Sequence, residues 1–144
     1  MGSRRRDRSE DSHRYYDWLE RASEDIEAAE KLLDSDNTIG ACAFHCQQCI
    51  EKALKGYILF KTHQHLDGHN LTWLCRQAMK TERHFSQWLD ESVILNRYYI
   101  ETRYPADIPL ELDTRAVNRA YDMALAMYRF ICDEVYNDME SEED

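Results

Sequence analysis

Apolar residues recur at helical intervals along most of the chain. Between Tyr15 and Leu33, the residues Trp18, Leu19, Ala22, Ile26, Ala29, Leu32 and Leu33 share one side with acids and bases between them, which predicts an amphipathic helix. After a turn at Asp34-Ser35-Asp36-Asn37, a second and central helix is expected from about Thr38 to Thr62, capped by Asn37 or Thr38 accepting a backbone amide hydrogen bond. Ile39, Cys42, Cys46, Cys49, Ile50, Ala53 and Tyr57 form its main apolar stripe. Phe44, Ile58 and Leu59 lie outside that stripe and would be exposed on an isolated chain. The second side is therefore expected to be covered by another helix or another subunit.

The same periodicity continues downstream. A loop over 63–69 ends at Asn70, a cap for a short third helix carrying Leu71, Leu74, Cys75 and Met79. A fourth helix begins near Phe85, carries Trp88, Leu89, Val93, Leu95 or Asn96, Tyr99 and Ile100, and stops before Pro105, because the residue preceding a proline disfavours helical geometry. Residues 105–113 read as an irregular connection. Asp113 or Thr114 then caps a last long helix striped by Val117, Ala120, Tyr121, Ala124, Met127, Tyr128, Ile131 and Val135. The fold class predicted is all-α, an up-and-down bundle of four to five antiparallel helices.

Composition supports helices and divides the chain. In 144 residues there are four glycines and two prolines, too few for the turn density of a sandwich or barrel. The net charge is −10, but residues 1–14 carry +2 and residues 137–144 carry −5, leaving −7 on the body. A polar, disordered leader over 1–14, a bundle over 15–136 and an acidic, disordered tail over 137–144 are expected. An acidic body argues against non-specific nucleic-acid binding through a broad basic face and restricts any such role to a local cluster. Five cysteines, no signal-like apolar start and no apolar run near the length of a membrane span point to a cytoplasmic protein with reduced thiols.

Candidate chemistry is concentrated in a few places. His45, Gln48 and Lys52 form a short polar row between the two apolar sectors of the central helix, placed to grip a ligand or to hydrogen-bond a neighbouring helix. Cys42, Cys46 and Cys49 fall within the apolar stripe, where cysteine behaves as a small hydrophobe. His63, His65 and His69 suggest a metal loop, but one loop seldom supplies a whole ligand set, and neither a metal site nor a cofactor is assigned. Arg97, Tyr99, Thr102, Arg103 and Tyr104 crowd the end of the fourth helix. Arginine can hold phosphate bidentately and tyrosine can stack on a base, but these side chains could equally pack on the last helix and answer nearby acids. No catalytic triad order, glycine-rich phosphate loop or carboxylate pair at a spacing that dictates chemistry is present.

Taken together, Ala43 to Lys55, His69-Asn70-Leu71 and Tyr99 to Pro105 resemble the HEPN family over about residues 15–136. The matching features are the phenylalanine-histidine, glutamine pair and glutamate-lysine of the second helix, the histidine opening the third, and the threonine-arginine-tyrosine-proline run after the fourth. The resemblance implies a helical bundle that commonly forms homodimers, is often paired with a small nucleotidyltransferase in toxin–antitoxin modules, and is in many members a ribonuclease. The family's cleavage motif is an arginine and a following histidine with four to six residues between them. Here that spacing is offered only by Arg6 or Arg8 with His13, and neither Arg97 nor Arg103 has such a histidine. The reading that follows is a nucleotide- or nucleic-acid-binding interaction module without the usual RNase chemistry, contacting its ligand through His45, Gln48, Lys52, Arg97, Tyr99, Thr102, Arg103 and Tyr104. The alternative is a metal-independent RNase toxin using Arg97 or Arg103 with a non-standard base such as His45.

Overall fold

The computed structural model describes residues 13–99 and 112–143, with side chains as far as residue 137. Five α-helices account for most of it: α1 Tyr15–Leu32, α2 Ile39–Thr62, α3 Leu71–Met79, α4 Leu89–Asn96 and α5 Thr114–Glu143. No strand occurs among the described residues. Single 3-10 segments at Asp36–Thr38 and Arg83–Trp88 lead into α2 and α4.

The local chemistry of the helix ends agrees with the sequence at two places and departs from it at a third. The Asn70 side chain accepts from Trp73 N at 3.0 Å, and Asp113 accepts from Ala116 N at 2.8 Å, so each satisfies an amide that the first helical turn leaves unpaired. Thr38 does not cap α2 as an acceptor. Its hydroxyl donates to the carbonyls of Leu32, at 2.6 Å, and Ser35, at 3.0 Å, tying the turn to the end of α1. Ser35 Oγ accepts from Asn37 N instead. Residues 138–143, expected as a loose tail, continue α5. Nothing in that stretch breaks a helix, since it lacks glycine and proline and is rich in glutamate.

α2 is the axis of the fold. α1 runs antiparallel along it, as Tyr15 meets Phe60 and the Cys42 thiol donates to Ala29 O. Their approach is close because Gly56 has no side chain: a Cβ there would lie 3.0 Å from Trp18 Cβ and 3.2 Å from Tyr15 O. α5 covers another side of α2 and adds Val117, Ala124, Met127, Ile131 and Val135 to the core. Cys42, Cys46, Cys49 and Cys75 are buried free thiols, as expected for small core hydrophobes.

Two expectations are corrected by the packing. Ile58 and Leu59 are only 2% and 6% exposed and Phe44 is half-buried, so the second side of α2 is covered within one chain. In addition, α3 runs parallel to α2 rather than antiparallel. The connection over 63–70 starts from His63, whose left-handed φ of 60° ends α2, and descends along α2 until the His69 carbonyl reaches Gln47. α3 then rises beside α2 until Thr81 meets Tyr57. This descending strap, rather than a tight hairpin turn, builds the site described next.

Candidate functional site

Two carboxylates anchor the polar row of α2. Asp25, a buried residue of α1, faces it with both oxygens: Oδ1 lies 2.8 Å from His45 Nδ1 and Oδ2 accepts from Lys52 Nζ at 2.7 Å. Helical spacing places His45 and Lys52 two turns apart on one face, so a single acid on the crossing helix bridges them.

Glu51, the residue before Lys52, is the second anchor, with only 6% of its side chain exposed. It accepts from Lys55 Nζ at 3.1 Å, Gln47 Nε2 at 3.2 Å and Gln48 Nε2 at 3.5 Å, and Oε1 lies 3.0 Å from His69 Nδ1. Gln47 Nε2 also donates to His69 O, while Gln47 Oε1 accepts from Gln48. A buried carboxylate is tolerated when donors surround it, and Glu51 meets that condition. An ionised carboxylate only accepts, so each imidazole presents an Nδ1 proton to its acid, and in the neutral ring Nε2 is then an acceptor.

An aromatic row adjoins this network. The Tyr99 ring lies on His69 at 4.2 Å between centroids and 14° between planes, and Phe44 stands between Tyr99, at 6.4 Å, and His45, at 6.0 Å. Tyr99, in the turn after α4, is thereby brought to the polar face of α2. Arg97 sits exposed in the turn that follows α4. Thr102, Arg103 and Tyr104 lie outside the described residues.

Between α1, α2 and the strap lies a cleft of about 660 Å³. α1 contributes Asp17, Trp18 and Arg21, α2 contributes Gln48, Glu51, Lys52 and Lys55, and the strap contributes His65, Asp67, Gly68 and His69. Gly68 has φ 101°, a conformation that glycine adopts without strain. Lys55 Nζ stands 5.8 Å from the Trp18 ring, with His65 at 5.4 Å from the same ring. The proposed metal loop does not converge. His63 ends α2, His65 packs on Trp18 and His69 is bound to Glu51, and no group of three potential metal ligands occurs among the described residues.

Of the candidates, Gln48 and Lys52 line the cleft, while His45 sits behind Lys52 on the shared Asp25. Tyr99 reaches the cleft through His69. Sequence reasoning missed Asp25 and Glu51 as the residues that fix the others. Glu51 and Lys55 carried a signal, an acid and a base four residues apart on a helix. Asp25 carried none, being one acid among several on α1.

The thiols near the site differ in direction, since the hydrogen bond with Cys46 lowers Cys42 whereas Cys46 and Cys49 are raised. Burial pushes Cys49 well up, and Cys46 is pushed up first by its hydrogen bond with Cys42 and then by burial.

A HEPN domain family model matches residues 15–135. Among solved structures, the protein TT1696 from Thermus thermophilus superposes with a TM-score of 0.73 at 27% identity, covering 83% of this chain and 96% of that one. An archaeal HEPN homologue, ST0689, superposes with a TM-score of 0.65 at 22% identity, over 85% of this chain and 98% of its own, and is similar in fold. A comparison with curated proteins gives no match.

Proposed function

This chain belongs to the HEPN domain family, and from that premise we propose that it is a nucleotide- or nucleic-acid-binding interaction module, working without the family's usual cleavage motif. One observation carries the reading: the Tyr99–His69 stack opens onto a cleft edged by Gln48 and Lys52. Planar rings beside hydrogen-bonding groups suit a base, and base–aromatic stacking is tolerant of sequence. His45, Gln48, Lys52 and Tyr99 serve the base side of the ligand. Arg97, with Thr102, Arg103 and Tyr104 beyond the described residues, completes the contact set. The module acts as a homodimer and as half of a toxin–antitoxin-type pair with a minimal nucleotidyltransferase, in the cytoplasm. No helix among the described residues is long and apolar enough to cross a membrane.

A second reading has its own observation. His45 and His69 are each held through Nδ1 by a buried carboxylate, the arrangement that orients an imidazole for proton transfer. Such a site would serve a metal-independent RNase of non-standard design.

One experiment separates the two. The purified chain is incubated with a single-stranded oligoribonucleotide, and binding and strand integrity are followed together. The first reading expects saturable binding, intact RNA, and affinity lowered about tenfold or more in Tyr99→Ala. Cleavage abolished by His45→Ala or His69→Ala supports the second, and absence of both binding and cleavage overturns the two.

A further inference from the structure

The cleft's charges are already spoken for. Lys52 is paired with buried Asp25 at 2.7 Å, Lys55 with buried Glu51 at 3.1 Å, and Arg21 with Glu24 at 3.6 Å. The lining also contains Asp17 and the exposed carboxylate of Asp67. Three cations and three acids line the cleft, and their outer partners are Arg14 on Asp17, Glu24 on Arg21 and Asp25 on Lys52, so its field is neutral to negative. A polyphosphate entering there would have to draw Lys52 or Lys55 away and leave Asp25 or Glu51 buried and short of a counter-charge, which is costly.

What the cleft does offer is a ring surface and acceptors. Tyr99 covers one face of His69, yet the His69 side chain is 51% exposed, so its other face is open on the cleft side. Gln48 turns its amide nitrogen to Gln47 and Glu51, which leaves Oε1 as the acceptor facing outward. His65 also lines the cleft, but its Nε2 is buried beneath the wall and is not offered to a ligand there. His69 Nε2 and Asp67 complete a set able to receive the amino and ring N–H groups of a base or the hydroxyls of a ribose.

We propose that the cleft takes the uncharged nucleoside part of a nucleotide, with the base on the open face of His69, and leaves the phosphates outside it. This rests on the nucleotide-binding reading and makes it more specific. Recognition is by stacking and hydrogen bonds, so affinity is insensitive to salt, whereas phosphate recognition by exposed cations weakens as salt rises.

The test is calorimetric titration of the full chain with adenosine, guanosine, cytidine and uridine and with their 5′-triphosphates, at about 50 mM and about 200 mM salt. The expected result is that at least one nucleoside binds as tightly as its triphosphate, or more tightly, with less than about a twofold change between the salts. His69→Ala should weaken that binding about tenfold or more, and His69→Phe, which keeps a ring but not the Glu51 bond, should restore most of it. Triphosphates binding about tenfold tighter than nucleosides, with affinity falling as salt rises, would overturn the proposal while leaving nucleotide binding intact. Nucleoside binding unchanged in His69→Ala would also overturn it. If neither ligand class binds, the broader reading falls as well.

Discussion

Glu51→Gln keeps the shape of the buried node and removes its charge. Four donors, from Gln47, Gln48, Lys55 and His69, converge on the carboxylate, so the new amide NH₂ points a donor where only an acceptor fits. Lys55, with 8% of its side chain exposed, loses its counter-charge. Breaking a buried pair from one side costs about 3–5 kcal/mol, and the lower figure applies because Lys55 lies at the cleft edge, where its stem allows partial escape to water. A loss of about 3 kcal/mol corresponds to about 6–12 °C in Tm for a chain of this size. Urea unfolding of the wild type, Glu51→Gln, Lys55→Met and the double variant forms a complete cycle. The double variant should recover at least about 1 kcal/mol relative to the sum of the singles, because the orphaned cation is gone. A single-variant loss under about 1 kcal/mol, or strict additivity, would refute the node as described.

Three further outcomes follow from packing and burial. Gly56→Ala gains about 1 kcal/mol of helix propensity but drives a Cβ against Trp18 Cβ and the Tyr15 carbonyl, so stability should fall by about 1 kcal/mol net, and a raised Tm would contradict the α1–α2 contact. In native protein Cys42, Cys46, Cys49 and Cys75 should resist a thiol reagent until unfolding, leaving half-buried Cys132 to react first; fast labelling of several thiols would show the core to be open. Burial, with Glu91 adding to it, pushes the Cys75 thiol up from 9.0 to about 11, and burial raises Cys49 and Cys132 as well. The folded chain therefore holds these protons more tightly than the unfolded one. Their contribution is fully present below about pH 9 and is lost as pH rises through about 11, so the urea midpoint should fall between about pH 8 and about pH 10.5, and a flat or rising midpoint would contradict it.

The pattern of apolar positions was enough to find the five helices, with end signals such as Asn70 and Asp113, but α4 is shorter than read, a 3-10 segment holds Phe85, and Val93 is exposed. Long-range geometry was less legible. Nothing local states that residues 63–70 run back along α2, since this depends on Gln47 and Glu51 meeting a histidine 22 and 18 residues away. Likewise Ile58 and Leu59 read as exposed when only the main stripe of α2 was considered, although other elements of the same chain cover them. The polar row itself was visible as His45, Gln48 and Lys52, but the pairing of its charged members with Asp25, and of its neighbours with Glu51, depends on how the helices cross. That pairing gives Lys52 and Lys55 buried counter-charges within the chain.

The most direct test of the central claim is a map of backbone amide shifts, by ¹H–¹⁵N spectroscopy, as a nucleotide is added to the labelled chain. The account predicts saturable shifts concentrated at Gln48, Lys52, Gly68, His69 and Tyr99, with Trp73 and Val93 on the outer faces of α3 and α4 unmoved. Shifts confined to those outer faces, or none at all, would contradict it.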